Sequence, residues 1–192
     1  MSHILIATDI FGKTNAVETL SERLSAVCER VHMLDPYDAK PMHFQGENEA
    51  YEVFNRLCGL ENYAQICRKA LDALSNEEVI LIGFSMGSSA LWKVLDGRQG
   101  GKIKHFYGFY ASQIRHFLDV NPLVPCTLVF PYSEPHFDVA ELMSKLAIKE
   151  GLTCIKTAYL HGFMNPLSVN YNAMGYAEYC RWIEESINSS PL

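Results

Sequence analysis

Short apolar-rich runs alternate with longer amphipathic stretches along the whole chain, and no other feature narrows the fold so far. The runs fall at residues 4–7, 31–34, 79–82, 103–107, 127–130 and 153–157. Between them, apolar residues recur at helical spacing over 16–28, 62–74, 86–96, 139–150 and 173–187. A chain that repeats strand, helix, strand in this way is expected to build a mostly parallel sheet of about six strands, with helices on both faces.

A length of 192 residues fits one domain spanning 1–192 and is enough to bury a substantial core. One segment breaks the rhythm. Residues 36–60 are too long for a simple connection and mix His43, Phe44, Tyr51 and Phe54 with several acids. They are read either as a small cap or lid over a site or as an ordinary surface excursion with one short helix. A net charge of −6 leaves no basic stripe, which argues against nucleic acid as a partner. No segment approaches membrane-spanning length, and the first apolar run is short and lacks a basic lead, so the chain reads as cytoplasmic. Its six cysteines form no C-x-x-C pair and read as small buried hydrophobes.

The chemistry concentrates at Gly83-Phe84-Ser85-Met86-Gly87, between the apolar run at 79–82 and a helical stretch. Gly-x-Ser-x-Gly gains meaning in a strand–turn–helix context, where a sharp turn lifts the serine out of the sheet edge. Strand and helix pass too close there for side chains at the two glycine positions. A serine hydroxyl is a weak nucleophile until a base and an oxyanion site surround it.

The base must take the Ser85 proton and return it to the leaving group. Around elbows of this kind the chain order is nucleophile, acid, histidine. His161 meets that order, in a turn-rich loop between the last strand and the final helix, and the other six histidines do not. The acid is expected in the loop 131–138, where two carboxylates compete. Glu134 lies at the usual distance past its strand. Asp138 stands just before a helix and reads more simply as an N-cap. Glu134 is therefore the favoured acid. Backbone N–H groups of Met86, next to the nucleophile, and of Ile10, in the loop after the first strand, are expected to form the oxyanion hole. Asp9 would lie near Ser85, either tuning the site or as a solvated loop carboxylate. Phe11, Phe84, Phe163 and Met164 are expected near the substrate, together with the 36–60 excursion.

At these residues the sequence resembles the dienelactone hydrolase family of α/β-hydrolases. Asp9-Ile10-Phe11-Gly12 is similar to that family's acidic-Ile-Phe-Gly loop, and residues 83–88 match its Gly-x-nucleophile-x-Gly-small elbow. Glu134 falls at its acid position, and His161-Gly162-Phe163 is similar to its histidine loop. The likeness runs in order along nearly the whole chain. It departs from the namesake enzymes in carrying Ser85 where they use cysteine, and Glu134 where aspartate is commoner.

The resemblance implies a compact α/β-hydrolase fold. It also implies hydrolysis of a small-molecule carboxylic ester, thioester or lactone by Ser85, His161 and Glu134, with no metal or organic cofactor. The alternative is a non-catalytic binding or interaction protein that keeps the fold. An intact nucleophile–acid–base set argues against that alternative, because a relic is free to lose any member.

Overall fold

The structure, a computed structural model, describes residues 2–98 and 102–189. Its centre is a six-stranded, all-parallel sheet built from β1 (His3–Ala7), β2 (Arg30–Leu34), β3 (Val79–Phe84), β4 (Ile103–Phe109), β5 (Cys126–Phe130) and β6 (Leu152–Lys156). Each expected strand is present, with ends displaced by two residues or fewer. Around the sheet stand α1 (Asn15–Leu24), α2 (Glu47–Leu57), α3 (Gly59–Ala73), α4 (Met86–Val94), α5 (Val139–Leu146) and α6 (Ala173–Ser189).

The period-two geometry of strands sorts the core into two layers. Ile4 and Ile6 of β1 share one face with Ile80, Ile82 and Phe84 of β3, where they pack against Val17, Leu20 and Leu24 of α1 and Cys180, Ile183 and Ile187 of α6. Leu5, Ala7, Val79 and Leu81 point the other way, towards Phe54 of α2, Tyr63 and Leu71 of α3, Leu91 and Trp92 of α4, and Leu142 of α5. A bidentate ion pair ties the first layer together. Arg23 of α1 donates to Glu184 of α6 at 2.6 and 2.9 Å. All six cysteines are free, and five are buried.

The strand order is β2-β1-β3-β4-β5-β6. The chain therefore leaves β1 in one direction to make β2, then returns past it to make β3. Loops leaving the C-terminal ends of β1 and β3 diverge at this reversal, and the crevice they open is where ligands bind in open parallel sheets. Ile10, Ser85, Glu134 and His161 all follow C-terminal strand ends, after β1, β3, β5 and β6 respectively.

The 36–60 excursion contains a short helix, α2, whose Ala50 and Phe54 are buried and whose Val53 packs beside them. The other helices begin or end within a turn of their expected limits.

Candidate active site

Ser85 sits between β3 and α4 with φ 49° and ψ −112°, a left-handed conformation that a non-glycine residue adopts only where its surroundings enforce it. The surroundings here are explicit. Ser85 N–H donates to the Phe109 carbonyl at 2.9 Å, and the Ser85 carbonyl accepts from Ser89 N–H at 3.0 Å and from Ser89 Oγ at 3.1 Å. The elbow also depends on close approach. A Cβ on Gly83 would stand 2.5 Å from Ser88 Cα, and one on Gly87 would overlap the carbonyls of Ala7 and Thr8.

The strained turn aims Ser85 Oγ at His161, whose Nε2 lies 2.9 Å away. His161 Nδ1 stands 2.7 Å from Glu134 Oε1. That carboxylate has a side chain 6% exposed, against 30% for the imidazole. Nδ1–H donating to Glu134 leaves Nε2 free to accept the serine proton, which is the tautomer a base needs. The structure thus brings together three residues that are 27 and 76 positions apart in sequence. Asp138 stands elsewhere: its Oδ1 caps α5 by accepting the Glu141 N–H at 3.0 Å.

Ile10 and Met86 both line the cleft beside Ser85. Among the described residues no backbone acceptor pairs with either N–H, so both donors stay available. Ile10 is fixed from behind by residues the sequence did not single out. Tyr37 Oη donates to the Ile10 carbonyl at 2.5 Å, and Asp35 accepts from the N–H groups of Lys13 and Tyr37, both at 2.6 Å.

Asp9 is a buried carboxylate rather than a solvated one. Its Oδ1 accepts the Phe11 N–H at 2.9 Å and its Oδ2 accepts Asn165 Nδ2–H at 2.7 Å. Burial pushes its pKa up from the ordinary 3.8 to about 6, and the donors from Asn165 and Phe11 together with nearby His161 only partly offset that. The folded state therefore holds the Asp9 proton more tightly than the unfolded chain, so ionised Asp9 costs stability above pH 6 and the cost lifts as pH falls towards 4. Acidification from about pH 7.5 to about pH 5 is expected to return roughly 1 kcal/mol through this group. Denaturant titrations of wild type and Asp9→Asn across that range check the expectation, since the variant should lack this component.

The cleft in front of Ser85 has a volume of about 450 Å³, and its walls mix polar side chains with apolar surface. Phe11 lines it, as do Glu47, Asn48 and Tyr51 from α2. Phe84 and Phe163 do not. Phe84 stacks on Phe109 at 5.2 Å within the α1–α6 layer, and Phe163 stacks on Tyr159 at 5.0 Å in the same core. Met164 borders a separate small void behind Asp9. Sequence reasoning also missed Tyr110, whose ring stands 5.0 Å from the His161 imidazole and whose φ of 39° is itself left-handed.

A six-stranded parallel sheet with this strand order and a serine elbow after β3 define an α/β-hydrolase fold. Solved structures bear this out. The dienelactone hydrolase-like promiscuous phosphotriesterase P91 from metagenomic libraries is similar over 99% of this chain and 87% of its own, with a TM-score of 0.71 and 14% identity. The dienelactone hydrolase of Anabaena variabilis is similar over 96% of this chain and 86% of its own, with a TM-score of 0.63 and 15% identity. In sequence, the chain is 29% identical over 180 residues to the uncharacterized protein YczH of Bacillus subtilis, covering 88% of this chain and 84% of that one. No family model matches the chain. Its structural neighbours are hydrolases, esterases among them. Among the described residues no helix is long and apolar enough to cross a membrane.

Proposed function

We propose that the protein is a serine hydrolase that cleaves a carboxylic ester, thioester or lactone through an acyl-enzyme on Ser85. The observation that carries this reading is the unbroken line from Ser85 Oγ through His161 to Glu134, at 2.9 and 2.7 Å, opening on a cleft beside two free N–H groups. Ser85 Oγ attacks the carbonyl carbon while His161 Nε2 takes its proton, and Glu134 stabilises the resulting imidazolium. The carbonyl π pair moves onto oxygen, where the N–H groups of Met86 and Ile10 receive it. Collapse expels the alcohol or thiol, which leaves with the proton from Nε2. Water then attacks the acyl carbon, gives its proton to His161, and the second collapse returns that proton to Ser85 Oγ. Each proton has a carrier at every step, so the scheme calls for no further group.

The test is covalent labelling with a fluorophosphonate, read by intact mass. A single adduct on wild type that is absent from Ser85→Ala supports the reading. Folded wild type that takes no adduct overturns it in favour of a binding protein on a hydrolase fold.

One side chain in the cleft bears on the substrate. Arg115, in the short 3₁₀ turn Ser112–His116 after β4, donates through Nη1 to the Ser112 carbonyl at 2.6 Å and lies 5.2 Å from the Phe137 ring centroid. Among the described residues no carboxylate pairs with it. A guanidinium without a carboxylate partner in a cleft favours a substrate oxygen that carries negative charge. Arg115→Gln is expected to lower kcat/KM roughly tenfold for an aryl ester ending in a carboxylate, and to leave that of its uncharged isostere within about twofold. Parallel steady-state assays on the two esters check it.

A further inference from the structure

We propose that Glu47 is a positioning residue: from the first turn of α2 it holds the loop that carries His161, and so keeps the imidazole in line with Ser85 and Glu134. The proposal rests on the hydrolase reading for its kinetic consequence, though not for its geometry.

The need for such a device follows from the fold. His161 lies beyond β6, which is an edge strand paired only to β5. Residues 161–172 form neither helix nor strand. A histidine on an irregular loop at a sheet edge lacks support from a neighbouring strand on one side, yet a misplacement of about 1 Å in such a group costs on the order of a hundredfold in rate. The loop must be fastened by side chains.

Beside the burial of Phe163 and Met164, side-chain hydrogen bonds among the described residues fasten the loop to the β1 loop and to α2. One is the Asn165 amide on Asp9, already described. The other starts at Glu47, whose Oε1 accepts from Ser168 Oγ at 2.5 Å and from the Val169 N–H at 3.2 Å. Ser168 Oγ in turn accepts the Asn170 N–H at 3.2 Å, and Asn170 Nδ2 donates to the carbonyl of His161 itself at 3.0 Å. Ser168 is only 6% exposed, so water competes poorly for these bonds. The relay is continuous from the excursion helix to the backbone of the histidine. Glu47, Ser168, Asn170 and His161 all line the cleft, so the relay is also one of its walls.

A carboxylate in the first turn of a helix often does no more than complement its own helix's dipole. Glu47 does something else as well: its two partners lie 121 and 122 residues away. The bonds use an oxygen acceptor at one position, which a glutamine supplies and an alanine does not. That difference separates positioning from bulk charge.

The test compares Glu47→Ala and Glu47→Gln with wild type by three readouts. Kinetics on a short-chain aryl ester give kcat and KM. One-dimensional proton NMR follows the low-field resonance of the His161 Nδ1 proton on Glu134, and thermal unfolding reports the fold. Glu47→Ala is expected to lower kcat about tenfold to a hundredfold and to broaden or erase the low-field resonance, while the melting temperature falls by only a few degrees. Glu47→Gln is expected to restore both kcat, to within about threefold, and the resonance. The proposal is overturned if Glu47→Ala keeps the resonance and kcat of wild type, or if Glu47→Gln falls as far as the alanine variant. Wild type without turnover would sink the hydrolase reading alone, because the resonance still decides whether Glu47 holds the imidazole.

Discussion

Replacing His161 with alanine is expected to lower turnover of an activated ester by roughly four orders of magnitude or more, and adding Ser85→Ala is expected to lower it no further. The two side chains share one proton across 2.9 Å, so removing either removes the same event. Neither change should unfold the protein. His161 is partly exposed on the cleft and Ser85 contributes only a hydroxyl there, so melting temperatures within a few degrees of wild type are expected. Glu134→Gln should cost roughly two to four orders, because a neutral amide can accept the Nδ1–H and still fails to balance the imidazolium. Asp138→Asn is the matched control. Asparagine caps a helix about as well as aspartate, so both rate and stability should hold. Steady-state kinetics on the four variants, beside thermal unfolding, decide the matter. A larger loss in Asp138→Asn than in Glu134→Gln would overturn the choice of acid.

Gly87→Ala is expected to destabilise the protein by about 3 kcal/mol or more. The added methyl would overlap the carbonyls of Ala7 and Thr8. Those are backbone atoms at the end of β1, a strand paired on both sides, so no rotamer change relieves the overlap. Either α4 moves off the sheet or β1 bends, and Ser85 stands at the joint between β3 and α4. A melting temperature lower by about 6–12 °C or more is expected. Gly46→Ala, where an added Cβ meets nothing within 4 Å, should shift it by no more than a degree or two. Circular dichroism melts of the two variants make the comparison. A Gly87→Ala protein as stable as wild type would mean that helix and strand are not locked together at the elbow.

Much of the fold was legible because its signal is local. All six strands follow from short apolar runs, and period two along β3 accounts even for the misreading of Phe84. It has the same parity as Ile80 and Ile82, which sends its ring into the α1–α6 layer rather than towards substrate. α2 was readable only as one short helix within the excursion: Ala50, Val53, Phe54 and Leu57 recur at helical spacing, but over barely three turns of a segment otherwise rich in polar residues. At the candidate site, the meeting of Ser85 with His161 was readable from motif and chain order, and the N-cap pattern at Asp138 was readable as well. Asn165 was not readable. An Asn-Pro pair in a turn-rich loop reads as a turn, and its bond to Asp9 spans 156 residues. The same holds for Glu47 and Ser168. Contacts between distant loops depend on tertiary placement, which no local pattern encodes.

The sheet order sets a schedule as well as a shape. The serine stands after the third strand in sequence and the histidine after the sixth, at the far edge of the sheet. A chain emerging from the ribosome therefore makes its strained hydroxyl long before it makes the partner that gives that hydroxyl a base. On the proposed mechanism the base is in place once β6 has paired with β5 and brought the loop that carries His161 to the sheet. On that mechanism Ser85 is expected to stay unreactive until the loop that carries His161 docks beside it, so reactivity towards a covalent probe should report that docking.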